Sequence, residues 1–307
     1  MNDDAVLLIA FGGPEKMADV RPFLANVLKS RPVPPQRLAE VFRHYELFNG
    51  HSPLNEITFR QARALQALLE REGPSLSVYV GMRNWHPYLH ETLAQMGADG
   101  VKRALGFILS AQQSEAGWGR YKENVKAARE QIGTHAPVIE YLPGWHIHPL
   151  FIDAVADLTQ KALAQVPSER RAETPVVFTA HSVPVAMPGT SIYVQQAEEG
   201  ARHVAERLRQ PRWSVAYQSR SGDPRVPWLE PDIGGVLPKL ATEGAREIVV
   251  VPIGFVCDHI EVLYDIDIEA KQIATACGLK LIRASTVSDH PTFIRMMADI
   301  VRKAAAT

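Results

Sequence analysis

The stretch VPIGFVCDHIEVLYDIDIEA, residues 251–270, places Asp258, Glu261, Asp265, Asp267 and Glu269 within a dozen positions of one another. A helix beginning near Cys257 sets Glu261, Asp265 and Glu269 at i, i+4 and i+8 on one face and points His259 and Asp267 elsewhere. Like carboxylates at that spacing destabilise a helix and raise one another's pKa unless a cation sits between them. Two readings follow: a station for a hydrated divalent ion, or a solvated helix face. The run ends a very apolar strand, which argues against mere surface. His181 poses the same choice. It directly follows the apolar run VVFTA, and Pro184 and Pro188 stiffen the loop after it. A neutral imidazole accepts protons near pH 7 and ligates borderline metals such as iron(II); otherwise it is a hydrogen-bonded structural histidine. A histidine facing a carboxylate ladder suits metal handling coupled to proton removal.

These side chains need a scaffold, and the hydropathy pattern supplies one. Short apolar runs at 5–11, 76–81, 103–109 and 138–142 alternate with helix-like segments, and a second set follows at 175–180, 213–218, 247–253 and 280–283. Alternation of this kind predicts an α/β protein of two lobes, each with a four-stranded parallel sheet flanked by helices. The first lobe takes residues 1–145 and the second 146–287, with segment 147–166 bridging them and a C-terminal helix, within 288–307, packed on the first. Ligands of such sheets bind beyond the carboxyl ends of the strands, and in a two-lobed chain that edge lines a cleft. HSVP, QSRSG, FGGP and the acidic stretch all fall there. FGGP is not a GxGxxG dinucleotide loop.

Composition bounds the partners. With 307 residues, 46% hydrophobic, the chain has ample material for a core, and 33 basic against 34 acidic side chains leave a formal charge of −1. No bulk field draws it to nucleic acid or an anionic membrane. The N-terminus MNDDAVLLIAFGG has acids where a targeting peptide has bases, and no apolar run is long enough to span a bilayer. Cys257 and Cys277 form no disulfide framework or metal-binding spacing, so the expected compartment is the cytoplasm.

The stretches LLIAFGGP, GHSPLNEIT, FTAHSVP, YQSRSGDPRVPWLEPD and PIGFVCDHIEVLYDIDIE resemble the ferrochelatases, which insert iron(II) into a porphyrin in haem biosynthesis, and the likeness runs end to end. It implies two similar Rossmann-like lobes with an active-site cleft between them. It also implies that His181 and Glu261 are catalytic, and that metal passes among His181, Glu261, Asp265 and Glu269. Porphyrin and ferrous iron are then substrates. No cofactor is held permanently, and no cysteine matches a ligand set for the iron–sulfur cluster of some relatives. Transient contact with neighbouring haem-pathway enzymes is a further implication.

The likeness has gaps. Many soluble relatives carry a tyrosine at the position of Phe11, whose oxygen ligates iron; His44, beside Arg43, replaces a common arginine; and SAQQSEAGWGRY keeps Ser114 and Tyr121 while adding Arg120. The segment before SPLN is short and polar, unlike the apolar lip of membrane-associated protoporphyrin enzymes, which favours coproporphyrin III with its four propionates. Phe11 and His44 weigh toward protoporphyrin IX. Lys29, Arg31, Arg43, His44, Ser52, Ser114, Arg120 and Tyr121 are candidate rim contacts or ordinary surface residues. Phe11 and Trp228 are candidate walls, with a core role for Trp228 the alternative. A solute-binding protein or a non-catalytic tetrapyrrole carrier remain the other classes.

Overall fold

The computed structural model describes residues 4–29, 35–221 and 225–306. Among these, the eight expected strands are present and form two four-stranded sheets. In the first, β1 (Ala5–Ala10), β2 (Ser77–Met82), β3 (Arg103–Ile108) and β4 (Val138–Tyr141) run parallel in the order β2-β1-β3-β4. In the second, β5 (Val176–His181), β6 (Trp213–Gln218), β7 (Glu247–Val251) and β8 (Lys280–Arg283) repeat that order as β6-β5-β7-β8. The helices are α1 (Met17–Leu28), α2 (Pro35–Glu46), α3 (Leu54–Glu72), α4 (Leu89–Ala98), α5 (Arg120–Ile132), α6 (Pro149–Leu163), α7 (Thr190–Leu208), α8 (Ile233–Thr242), α9 (Ile260–Tyr264), α10 (Lys271–Ala276) and α11 (Pro291–Ala305). Two turns of π-helix, Glu115–Gly119 and Asp265–Ala270, precede α5 and α10.

The chain divides into two compact units. One comprises Met1–Leu109, Gly117–Pro143 and Asp289–Thr307, the other Ser110–Ala116 and Gly144–Ser288. The sequence reading put residues 110–116 in the first lobe. Hydrogen bonds tie them to the second, from the Gln113 amide to Gln196 Oε1 (2.7 Å) and from Gln112 Nε2 to the Ile253 carbonyl (3.5 Å). Nor does 147–166 bridge the units: α6 packs on α7 within the second. In the first unit, α11 lies along α3, and Arg302 there donates to the Gly73 carbonyl (2.7 Å) and pairs with Glu72 (2.9 Å).

Each unit has its own core. Every residue of β1 is buried, as a central parallel strand covered on both faces requires. One of its faces, Ala5, Leu7 and Ile9, meets Leu89, Leu93 and Met96 of α4 and Tyr121 and Val125 of α5. In the second unit Val177, Ile248 and Val250 pack against Ile233 and Leu237 of α8 and against Val262, Ile266, Ala270 and Ala274. Those last four recur every fourth residue along α9, the π-turn and α10, so that segment lies on the sheet by a continuous apolar stripe. Burying Val262 and Ile266 fully contributes roughly 1.5–3 kcal/mol each, which fixes the rotation of the segment about its axis.

Candidate active site

The rotation set by Val262, Ile266 and Ala270 also aims the acids. Glu261, Asp265 and Glu269 each precede one of those buried residues, so the apolar ladder positions the carboxylate ladder beside it. The helix expected over the whole stretch is only partly α. It begins at Ile260 and widens into the π-turn at Asp265. Such a bulge inserts an extra residue into the turn and is frequent at functional sites.

His181 is the last residue of β5, at the carboxyl edge of the second sheet. Its neighbours hold it closely. The Ser182 amide donates to the Gln218 carbonyl (2.7 Å), the Tyr193 hydroxyl donates to the His181 carbonyl (2.9 Å), and the Ser182 hydroxyl donates to the Leu229 carbonyl (3.0 Å). The loop leaving β7 approaches this edge through Gly254, whose amide donates to the Thr179 carbonyl (2.9 Å). A side chain at Gly254 meets the Ala180 Cα at 2.6 Å, so only glycine permits that approach.

The His181 ring contacts the Ser182 carbonyl through Nδ1 and faces Glu261 Oε2 through Nε2 at 3.7 Å. A carbonyl accepts only, so Nδ1 carries the proton of the neutral ring and Nε2 is left with its lone pair. Burial pulls the His181 pKa down, but the charge and hydrogen bonding of Glu261, the Ser182 carbonyl and Asp265 outweigh it and leave it raised. Burial likewise works to raise the Glu261 pKa, and His181 and His259 hold it far below the usual carboxylate range. Solvent reaches 30% of the His181 side chain and 47% of that of Glu261, although both stand deep among protein atoms. Water therefore screens the pair, and its net stabilisation falls well below that of an enclosed ion pair.

Asp265 titrates differently. Burial pushes its carboxyl up to about 7, with Glu261 and Glu269 adding to the rise, while the Ser219 hydroxyl and His181 work against it. The Ser219 hydroxyl donates to Asp265 Oδ2, and Ser219 itself has a φ of +62°, a left-handed conformation uncommon for a residue with a Cβ. Glu269 is exposed at the outer end of the ladder. Among the described residues, no group of three or more His, Cys, Asp or Glu side chains is gathered as a metal cage.

The remaining candidates separate by burial. Phe11 directly follows β1, half-buried, with its ring 6.3 Å from that of Phe23 and the Arg83 guanidinium 6.0 Å from its centroid. Lys29 and Arg43 are exposed; His44, Ser114 and Arg120 are half-buried. Ser52 and Tyr121, read as rim contacts, are instead 3% and 7% exposed. Ser52 backs the β1 turn at Gly13 and Tyr121 belongs to the first core, because their spacing puts them on packed faces. Trp228 is half-buried; its segment bridges to Pro184 beside the His181 loop, and its Nε1 is buried without a hydrogen-bond partner. Arg31 lies outside the described residues.

Three neighbours of the site escaped the sequence reading. His259 does not point away: its Nε2 lies 3.3 Å from Glu261 Oε2 and its ring rests on Phe255. With φ −157° it is extended, the residue before α9 rather than a member of it, and an i, i+2 relation across a helix start brings the side chains together. Gln218 Nε2 donates to the Glu261 carbonyl (3.2 Å), and Ser219 holds Asp265. Both stand in QSRSG, where the ending of β6 was the available signal.

Known proteins match the chain along nearly its whole length. The Ferrochelatase family model covers residues 3–305. The chain is 44% identical to the ferrochelatase of Rhodopirellula baltica, over 98% of this chain and 86% of that one. It is 41% identical to the coproporphyrin III ferrochelatase of Mycolicibacterium smegmatis, over 98% and 89%, and 42% identical to that of Nocardia farcinica, over 98% and 88%. In fold it is similar to the sirohydrochlorin chelatase SirB of Bacillus subtilis subspecies spizizenii (TM-score 0.59, 12% identity, 99% and 96% coverage). It is also similar to CbiX, the terminal enzyme of siroheme biosynthesis in denitrifying bacteria (TM-score 0.53, 13% identity, 98% and 99% coverage). Two parallel sheets of identical strand order, a histidine paired with a glutamate on the second, and likeness along the full length place the chain in the ferrochelatase family.

Proposed function

We propose that the protein inserts ferrous iron into coproporphyrin III, with release of the two pyrrole protons, as a step of haem biosynthesis in the cytoplasm. The observation that carries the chemistry is the His181–Glu261 pair, with Nδ1 against the Ser182 carbonyl and Nε2 3.7 Å from Glu261 Oε2. Nε2 takes a pyrrole proton as general base, and Glu261, held ionised by two histidines, stabilises the imidazolium that forms. His259 keeps Glu261 from turning away. Asp265 and Glu269 accept the hydrated ion from outside and pass it toward His181 and Glu261, since oxygen donors release iron(II) more readily than a mixed nitrogen site. Residues that grip the ring, Phe11 and Trp228 among them, supply binding energy that distorts the macrocycle. No resident metal or cluster is required.

For the porphyrin, the reading rests on the polar segment before SPLN and on the names of the M. smegmatis and N. farcinica relatives. Lys29, Arg31, Arg43 and Arg120 are the proposed propionate contacts, with His44 and Ser114 as further porphyrin contacts. Among the described residues no helix is long and apolar enough to cross a membrane. Anaerobic turnover with iron(II) tests the proposal, with coproporphyrin III and protoporphyrin IX as parallel substrates followed by absorbance. Faster metallation of protoporphyrin overturns the choice of porphyrin. Binding of both without a metalloporphyrin spectrum identifies a carrier.

A further inference from the structure

Two of the five clustered carboxylates take no part in the ladder. Arg283, the last residue of β8, donates through Nε to Asp267 Oδ1 (2.8 Å), through Nη1 to Asp258 Oδ1 (3.0 Å) and through Nη2 to Asp258 Oδ2 (3.3 Å). Asp258 also accepts from the Thr286 hydroxyl (3.0 Å), which lies 3.1 Å from that of Ser288. The Arg283 side chain is only 15% exposed. Asp258 stands before α9 and Asp267 inside the π-turn, so one guanidinium fastens both ends of the segment that bears Glu261 and Asp265.

We propose that Arg283 is a positioning residue for metal delivery. It acts through Asp258 and Asp267 to hold the π-turn in register, and so sets where Glu261, Asp265 and Glu269 stand. The inference rests on the proposed function for the role of those acids. A π-turn carries one residue more than an α-turn, and collapse to the α register turns every later side chain by roughly 100° about the axis. The apolar stripe opposes that collapse, since Ala270 and Ala274 would leave the sheet, and the planar fork bonded to Asp267 and Asp258 fixes the register at a residue on neither ladder. Lysine keeps the charge at this position but, with a single ammonium, cannot span both carboxylates in that geometry. Buried ion pairs are weak sources of stability, and what this one supplies is geometry.

The experiment compares R283K, T286V and D267N with the unaltered enzyme, each assayed well below its own melting temperature. Expected for R283K is a loss of about 10- to 100-fold in kcat/KM for iron(II), the scale for misplacing reacting groups by an ångström, with the coproporphyrin Kd unchanged. D267N, which keeps the Asp258 arm of the clasp, and T286V, which keeps both arms but removes the hydroxyl that braces Asp258, should fall between R283K and the unaltered enzyme. D267N leaves the Asp258 arm intact and keeps the test open should R283K fold poorly. A folded R283K or D267N whose metal kcat/KM matches the unaltered protein overturns the proposal, as does a parallel loss of porphyrin affinity. Cobalt(II) affinity, read by absorbance without porphyrin, separates the two levels. Absent turnover in the unaltered protein refutes the proposed function, yet weaker cobalt binding by R283K still upholds the positioning role, and equal binding refutes it.

Discussion

Asp265→Asn should make the metal-free protein more stable, by an amount that grows with pH. The Asp265 carboxyl is raised from 3.8 to about 7, first by burial and then by Glu261 and Glu269. A folded state that binds a proton more tightly than the unfolded one loses stability as pH rises, beginning near the unfolded pKa and ending near the folded one. At 1.36 kcal/mol per unit the full penalty is about 4 kcal/mol, and relaxation and water reduce it to about 2. Asparagine keeps the shape and accepts from Ser219, but never ionises. The variant should therefore match the unaltered protein near pH 4, gain about half the difference by pH 5.5 and all of it above about 7.5. At roughly 2–4 °C per kcal/mol, the melting temperature should rise on the order of 4–8 °C at pH 8. Thermal unfolding in chelator-treated buffer, scanned from pH 5 to 8.5, measures this. A shift of constant size across that range, or a variant less stable at pH 8, refutes the burial and repulsion ascribed to Asp265.

The other expectations concern turnover and spectra. His181→Ala should lower kcat by about 10²–10⁴-fold with porphyrin affinity largely intact, since it removes the general base and little apolar surface; fluorescence titration and stopped-flow turnover measure both. Glu261→Gln should be nearly inactive and should drop the His181 pKa, because burial then acts without its chief opposing charge; imidazole NMR titration would show a rise if the pairing is misassigned. Asp265→Asn and Glu269→Gln should chiefly raise the apparent KM for iron(II), and an equal collapse of kcat in both would point to one compact metal site. Phe11→Tyr should add a tyrosinate charge-transfer band to the ferric product and slow its release. That band in the unaltered protein would show that another tyrosine already ligates the product iron and that the reading of Phe11 is mistaken.

The central strands were readable because each is a short, nearly continuous apolar run, the mark of a parallel strand covered on both faces, followed by helix-like periodicity. The site was readable only in part. Glu261, Asp265 and Glu269 announce themselves by spacing, but nothing local links them to His181. That link depends on β5 and β7 being neighbours, which follows from the sheet order and not from the order along the chain. The family likeness supplied it. His259 was misjudged because the expected helix began too early; one residue of extended backbone reverses where its ring goes. The π-turn has no spacing signature separate from an α-helix over so short a stretch. Ser52 and Tyr121 sit in motifs read as surface, while their neighbours pack them inward.

Gathering five acids in so short a stretch costs less than their formal charge suggests, because four of them have a partner or a proton to offset them. Arg283 accounts for Asp258 and Asp267, and His181 and His259 for Glu261. Asp265 is left to share a proton near neutral pH, at the one position where the ladder passes from exposed Glu269 to the histidine pair. If the acids deliver metal as proposed, a divalent ion reaching Asp265 competes there with a proton. Below neutral pH the proton holds its place and excludes the ion; well above it the carboxylate is ionised beforehand, and the acids repel one another until a cation arrives.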